Sequence, residues 1–174
     1  MNEKKTHKKW VDNASANHDK QRELVVGIFA AKKARTTKKC LLHKIAGARN
    51  GDQQKILTNV RNGLPYYTIE TLADAFEVSR KEISEALSIP ISTLNRRKNS
   101  GRLLPVESDR VARLARLMDL AVSMMNGNNS AAVQWLKTPL LILGEETPLM
   151  HANTELGARE VENLMGRLQH GTFS

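Results

Sequence analysis

A chain of 174 residues holds one ordinary domain or two small ones, which excludes a large multidomain enzyme. Its residues are 40% hydrophobic but only 4% aromatic, which disfavours an aromatic-rich sandwich or barrel and points to helices built on Ala, Leu, Met and Val. The formal net charge of +9 and the single Cys40 exclude an acidic chain, an internal disulfide and a paired-cysteine zinc site, and they point to a reducing compartment.

The charge is uneven. Residues 1–62 contain 15 Lys and Arg against 5 Asp and Glu, whereas residues 63–174 contain 12 against 13. All of the excess therefore lies in the first third, with Lys4, Lys5, Lys8 and Lys9 followed by Lys32, Lys33, Arg35, Lys38 and Lys39. A basic arm beside a folded domain attracts polyanions through counterion release. A solvated tail that aids solubility is the plain alternative. A membrane-surface helix over residues 23–34, carrying Leu24, Val25, Ile28 and Phe29, is a third, with an apolar face only two turns long. No apolar run approaches the roughly 18 residues that span a bilayer, and no signal-peptide core follows the basic start, so a soluble cytoplasmic protein is expected.

In chain order, residues 1–20 lack periodicity and predict disorder or fraying. Two short helices follow near 21–34 and 38–48. Asp52 is placed to cap a helix through Ile56, Leu57 and Val60 that stops at Asn62-Gly63. Thr68 is read as the cap of a helix carrying Ile69, Leu72, Ala73 and Phe76, and Ser79 as the cap of the next, with Ile83, Ala86 and Leu87. Pro90 opens a third, with Ile91, Leu94 and Arg97, which ends at Asn99-Ser100-Gly101. Ser108 or Asp109 is read as the cap of a long helix striped by Val111, Leu114, Ala115, Met118, Ala121, Val122 and Met125. Asn126-Gly127 ends it, and a shorter helix spans about 129–137. Pro139, Gly144 and Pro148 predict an irregular stretch. Thr154 caps the last helix, with Leu156, Val161, Leu164, Met165 and Leu168 facing inward.

Residues 81–94 read as a helix-turn-helix. Two helices that cross steeply need a small residue at the crossing, here Ser84, and a miniature apolar core, here Ile83, Leu87, Ile89 and Leu94. Ser88 stands where the turn usually holds Gly. The second helix presents Ser92, Thr93, Asn95, Arg96 and Lys98 outward, with Arg97 close by. Arg and Asn suit base edges, and Ser, Thr and Lys suit phosphate oxygens. A helical hairpin with a merely charged face is the alternative.

No catalytic or metal constellation emerges. His151 and His170 lie far apart without a third ligand, Glu145-Glu146 is an adjacent pair of solvated type, and neither Gly27 nor Asn50-Gly51 forms a phosphate-binding loop. No enzyme, cofactor or metal site is expected.

An ordered series of motifs is more specific. It comprises Ile91-Ser92-Thr93-Leu94-Asn95-Arg96-Arg97, Gly101-Arg102-Leu103-Leu104-Pro105-Val106-Glu107-Ser108-Asp109-Arg110 and Ala132-Val133-Gln134-Trp135-Leu136-Lys137-Thr138-Pro139. Leu143-Gly144, Thr147-Pro148-Leu149, Thr154-Glu155-Leu156-Gly157-Ala158 and Gly166-Arg167-Leu168-Gln169-His170-Gly171 follow. Residues 53–174 thereby resemble the Xre/MbcA/ParS antitoxins, partners of RES-domain toxins. Glu145 replaces the second Gly of that family's Leu-Gly-Gly turn, Leu140 stands where Asn is common, and His170 where Tyr is frequent.

The resemblance implies an all-α chain. A basic extension (1–52) would precede an Xre-like helix-turn-helix bundle (53–107) and a small helical toxin-binding domain (108–174). It implies an antitoxin that represses its own operon, with Ser92, Thr93, Asn95, Arg96, Arg97 and Lys98 on operator DNA. It also implies occlusion of an NAD-degrading RES toxin by Arg159, Arg167, His170, Gly171, Thr172 and Phe173. A homodimer is expected, because one recognition helix reads only a half-site. A stand-alone dimeric helix-turn-helix regulator without a toxin is the alternative, and a pure protein-interaction module is a third reading.

Overall fold

Side-chain caps and left-handed residues set the helix boundaries of the computed structural model, which describes residues 40–49 and 51–170, the side chain of His170 excepted. Among these residues the chain forms nine α-helices and no strand beyond two isolated bridges. The helices are α1 (Leu41–Ile45), α2 (Gln53–Arg61), α3 (Tyr67–Phe76), α4 (Arg80–Ala86) and α5 (Ile91–Ser100). They continue as α6 (Pro105–Met124), α7 (Asn129–Lys137), a 3-10 turn (Leu141–Leu143), α8 (Pro148–His151) and α9 (Glu155–His170). The all-α fold agrees with the sequence reading. The helix read at 21–34 lies outside the described residues.

Several caps sit where the sequence places them. Asp52 accepts the Lys55 N–H, and Ser79 and Glu82 cap α4 reciprocally. Thr154 accepts from Gly157, and Asn128, a cap the sequence reading did not single out, accepts from Ala131. Each such cap satisfies an N–H that the first helical turn leaves unpaired.

Three readings are corrected. Thr68 does not cap α3: it is buried inside that helix, and its hydroxyl donates to the Pro65 carbonyl. Helix α6 starts at Pro105 rather than after Ser108 or Asp109, because Pro loses no hydrogen bond at a first helical position and the Glu107 carboxylate accepts the Leu104 N–H at 2.7 Å. Ser108 is thus drawn into the core, where its hydroxyl accepts the Leu64 N–H and donates to the Leu104 carbonyl. Leu156, read as inward-facing, is 72% exposed, because Ala158, Val161, Leu164 and Met165 bury the other side of α9.

Helix α6 is the axis of the molecule, with α1, α2, α3, α7 and α9 packed around it. Of the predicted stripe, Val111, Leu114, Ala115, Met118, Ala121 and Met125 are buried and Val122 is half-buried, and Leu117 and Met124 are buried as well. The stripe is therefore intramolecular core. Phe76 and Trp135 are the largest fully buried side chains.

The end of the basic extension belongs to this core. Ile45, Ala46 and Ala48 are buried, and the Leu41 and Leu42 N–H groups at the start of α1 bond the Asp119 carboxylate of α6 at 2.7 and 3.0 Å. Gly157 is required by close approach: a Cβ there would lie 1.9 Å from the His151 carbonyl, where α8 passes over α9.

Candidate DNA and partner interfaces

Helices α4 and α5 meet through the turn Leu87-Ser88-Ile89-Pro90. Ile83, Leu87, Ile89 and Leu94 are buried between them, as the sequence requires of a helix-turn-helix. Ser88 adopts φ 50°, the left-handed conformation for which Gly is the usual choice. Buried Ser84 is small enough for the crossing, and its hydroxyl also donates to the Ile89 carbonyl, tying the turn to α4.

The outward face of α5 carries exposed Ser92, Asn95, Arg96 and Lys98, with Thr93 half-buried. Arg96 makes no hydrogen bond or ion pair among the described residues. Lys98 lies 3.8 Å from Glu70, both more than half exposed, which is a weak, easily exchanged contact. Asn95 is oriented by a residue that sequence reasoning missed: Arg80 donates to its Oδ1 at 2.6 Å. Since a guanidinium only donates, the Asn95 amide is fixed with Nδ2 free to donate outward.

Arg97 lies apart from this face. Its Nε donates to both carboxylate oxygens of Glu107, at 2.9 and 2.8 Å, and the two side chains are 13% and 11% exposed. Glu107 thus serves twice, capping α6 and gripping α5. Three residues on, Arg110 donates to the Leu87 and Ser88 carbonyls of the turn. The first two turns of α6 therefore hold both α5 and the turn before it. The sequence signal for this was the Glu107-Ser108-Asp109-Arg110 run, whose first and last members make these contacts.

The next two turns of α6 hold α9. Arg113 Nε lies 3.0 Å from Glu155, and Arg116 pairs with Glu162 at 2.8 Å. Arg159 lies on the exposed side of α9 and bonds Glu155 within the helix. Arg167 is exposed and lines an open cleft of about 510 Å³ with Ile142, Leu143, Glu160 and Asn163. Arg159 and Arg167 thus share α9. The His170 side chain and Gly171, Thr172 and Phe173 lie outside the described residues.

His151 closes one side of this region. Its Nδ1 is 2.7 Å from Glu146 and its Nε2 2.6 Å from Glu160, so it bridges the loop after the 3-10 turn to α9. Two carboxylates on one ring require protons on both nitrogens. The Glu160 hydrogen bond, with that of Glu146, holds the imidazolium above its ordinary range despite opposition from burial. The loop itself carries strain at Glu145, which adopts φ 65° where the resembled family has Gly.

Among the described residues no group of three or more His, Cys, Asp and Glu is placed to hold a metal ion, and no helix is long and apolar enough to cross a membrane.

Comparison with known proteins finds two family matches. Residues 55–116 match the antitoxin Xre-like helix-turn-helix domain, and residues 121–171 the antitoxin Xre/MbcA/ParS C-terminal toxin-binding domain. The chain is 38% identical over 120 residues to an antitoxin Xre of Yersinia enterocolitica, covering 68% of this chain and 81% of that protein. It is 36% identical over 116 residues to an antitoxin Xre of Photorhabdus laumondii, covering 66% and 78%. A Prs ADP-ribosylating antitoxin of Sphingobium sp. is more distant, 24% identical over 124 residues, covering 66% of this chain and 78% of that protein. With a helix-turn-helix built on α4 and α5 and a toxin-binding domain that ends in α9, the chain belongs to the Xre antitoxin family.

Proposed function

We propose that this protein is a non-enzymatic antitoxin that binds a cognate RES-domain, NAD-degrading toxin, occludes its active site and represses its own operon. The observation that carries the reading is the joining of two surfaces by one helix. The α5 face offers Ser92, Thr93, Asn95, Arg96 and Lys98, and the α9 face offers Arg159 and Arg167, with α6 gripping both. On the DNA side, Arg96 and Asn95 read base edges and Ser92, Thr93 and Lys98 hold phosphates. Arg97 positions α5 through Glu107 rather than by reaching a base. On the toxin side, Arg159 and Arg167 dock the α9 face, while His170, Gly171, Thr172 and Phe173 enter the mouth of the nucleotide pocket.

Operator binding is by a homodimer, since a two-fold pair doubles the half-site contacts. Leu104 and Val106 at the start of α6, 49% and 65% exposed, supply apolar surface beside the reading helix for that contact. The protein acts in the cytoplasm, where operator DNA and NAD are found. The test is affinity purification of the tagged chain, expressed with its native flanking genes, followed by mass spectrometry. A near-stoichiometric RES-domain protein is expected. A chain that elutes as a DNA-binding dimer without such a partner would instead make it a stand-alone regulator.

A further inference from the structure

The cleft beside α9 has an uneven balance of charge that says what fits it. Leu156, Glu160, Asn163 and Arg167 recur at spacings of four, three and four residues, so they form one stripe opposite the buried face of α9. The 3-10 turn forms the other wall, with Leu143 in the cleft and Ile142 exposed to 63%. The acidic member of the lining is already engaged: the Glu160 carboxylate lies 2.6 Å from His151, which also holds Glu146. Arg167, two turns further along, makes no hydrogen bond or ion pair among the described residues. The cleft is thus an aliphatic wall facing an unengaged guanidinium, with the Asn163 amide beside it.

We infer that this cleft seats a segment of the toxin that presents an apolar side chain next to a carboxylate. The inference rests on the antitoxin reading above and names the chemistry of its partner. An apolar side chain fills the space against Ile142 and Leu143, and burial of exposed aliphatic surface drives the contact. The carboxylate meets the planar fork of Arg167, which bonds two oxygens at once, and that geometry fixes the register of the segment. A second copy of this chain fits poorly. A two-fold contact lays the patch on itself, which brings Arg167 towards another Arg167 while both Glu160 carboxylates remain engaged by His151.

The experiment immobilises the proposed cognate RES-domain toxin and measures its affinity for the full-length chain by biolayer interferometry. The variants are Arg167→Glu and Ile142→Asp, with Lys55→Glu on exposed α2 as control. Circular dichroism melts establish that each variant is folded, and sedimentation velocity records its self-association. Arg167→Glu and Ile142→Asp are each expected to weaken binding about tenfold or more, and Lys55→Glu to leave it unchanged. Arg167→Lys keeps the charge but loses the fork, and is expected to fall between wild type and Arg167→Glu. Wild-type binding with both cleft variants within twofold of it would overturn the cleft and leave the antitoxin reading standing. Failure of the wild type to bind would overturn that reading and the inference with it. Loss of self-association in the cleft variants, with toxin affinity intact, would give the cleft to a second copy of this chain and also overturn the inference.

Discussion

Glu107→Ala removes the carboxylate that joins the reading helix to the central helix. The side chain holds the Arg97 guanidinium through two hydrogen bonds and also accepts the Leu104 N–H. Removing one member of a well-buried pair costs about 3–5 kcal/mol, and here, with 13% and 11% exposure, the lower end applies. Loss of the α6 cap adds about 1 kcal/mol. Glu107→Ala is therefore expected to destabilise the protein by about 4 kcal/mol. Arg97→Met is expected to destabilise it by about 2–3 kcal/mol, since Glu107 keeps the Leu104 N–H. In urea, with a slope of about 2 kcal/mol per molar, those changes lower the midpoint by about 2 M and about 1 M. Arg96→Ala separates stability from recognition. It is expected to leave the midpoint within about 0.5 kcal/mol of wild type and to weaken operator binding by about 1–3 kcal/mol. Arg97→Met with a wild-type midpoint and the same loss of operator affinity as Arg96→Ala would refute the reasoning and return Arg97 to the DNA.

Ser88 and Glu145 both hold positive φ, so Ser88→Gly and Glu145→Gly are each expected to stabilise the fold by about 0.5–1 kcal/mol, the relief of left-handed strain less the added chain entropy; thermal melts check this. The folded His151 value is raised, so its stabilising effect is fully present below the ordinary histidine value of about 6.5 and is lost as pH rises through the folded value. The Tm gap between wild type and His151→Gln should accordingly shrink from pH 6 to pH 9, and a gap that does not change with pH would remove the imidazolium from the account. Truncation of residues 1–39 is expected to flatten the salt dependence of DNA binding if the basic arm meets phosphates, and an unchanged slope would leave the arm a solubility role. The cut must stop before Cys40, because α1 and its Asp119 bonds are part of the core.

The fold was legible where one residue decides a local outcome. Asp52, Ser79 and Thr154 cap helices because their side-chain oxygens reach N–H groups in the next turn, and Gly101 and Gly127 take positive φ at helix ends. It was less legible where a distant residue decides. Ser108 has the chemistry of a cap, but Glu107 captures the Leu104 N–H and Leu64 claims the Ser108 hydroxyl, a partner 44 positions away. The interfaces follow the same rule. The exposure of Arg96 follows from helical spacing within α5, whereas the inward turn of Arg97 depends on Glu107, which arrives from α6. Leu156 misled because periodicity alone does not say which edge of an apolar stripe is covered. The cleft of Ile142, Glu160, Asn163 and Arg167 depends on how the loop folds back through His151, and no local pattern encodes that contact.

The most direct test of the account measures NAD⁺ consumption by the purified, proposed cognate RES-domain toxin, titrated with this chain. Loss of activity in proportion to added chain, complete at a fixed stoichiometric ratio, is the predicted result. Undiminished NAD⁺ consumption at saturating chain, with operator binding intact, would contradict it and leave a DNA-binding regulator.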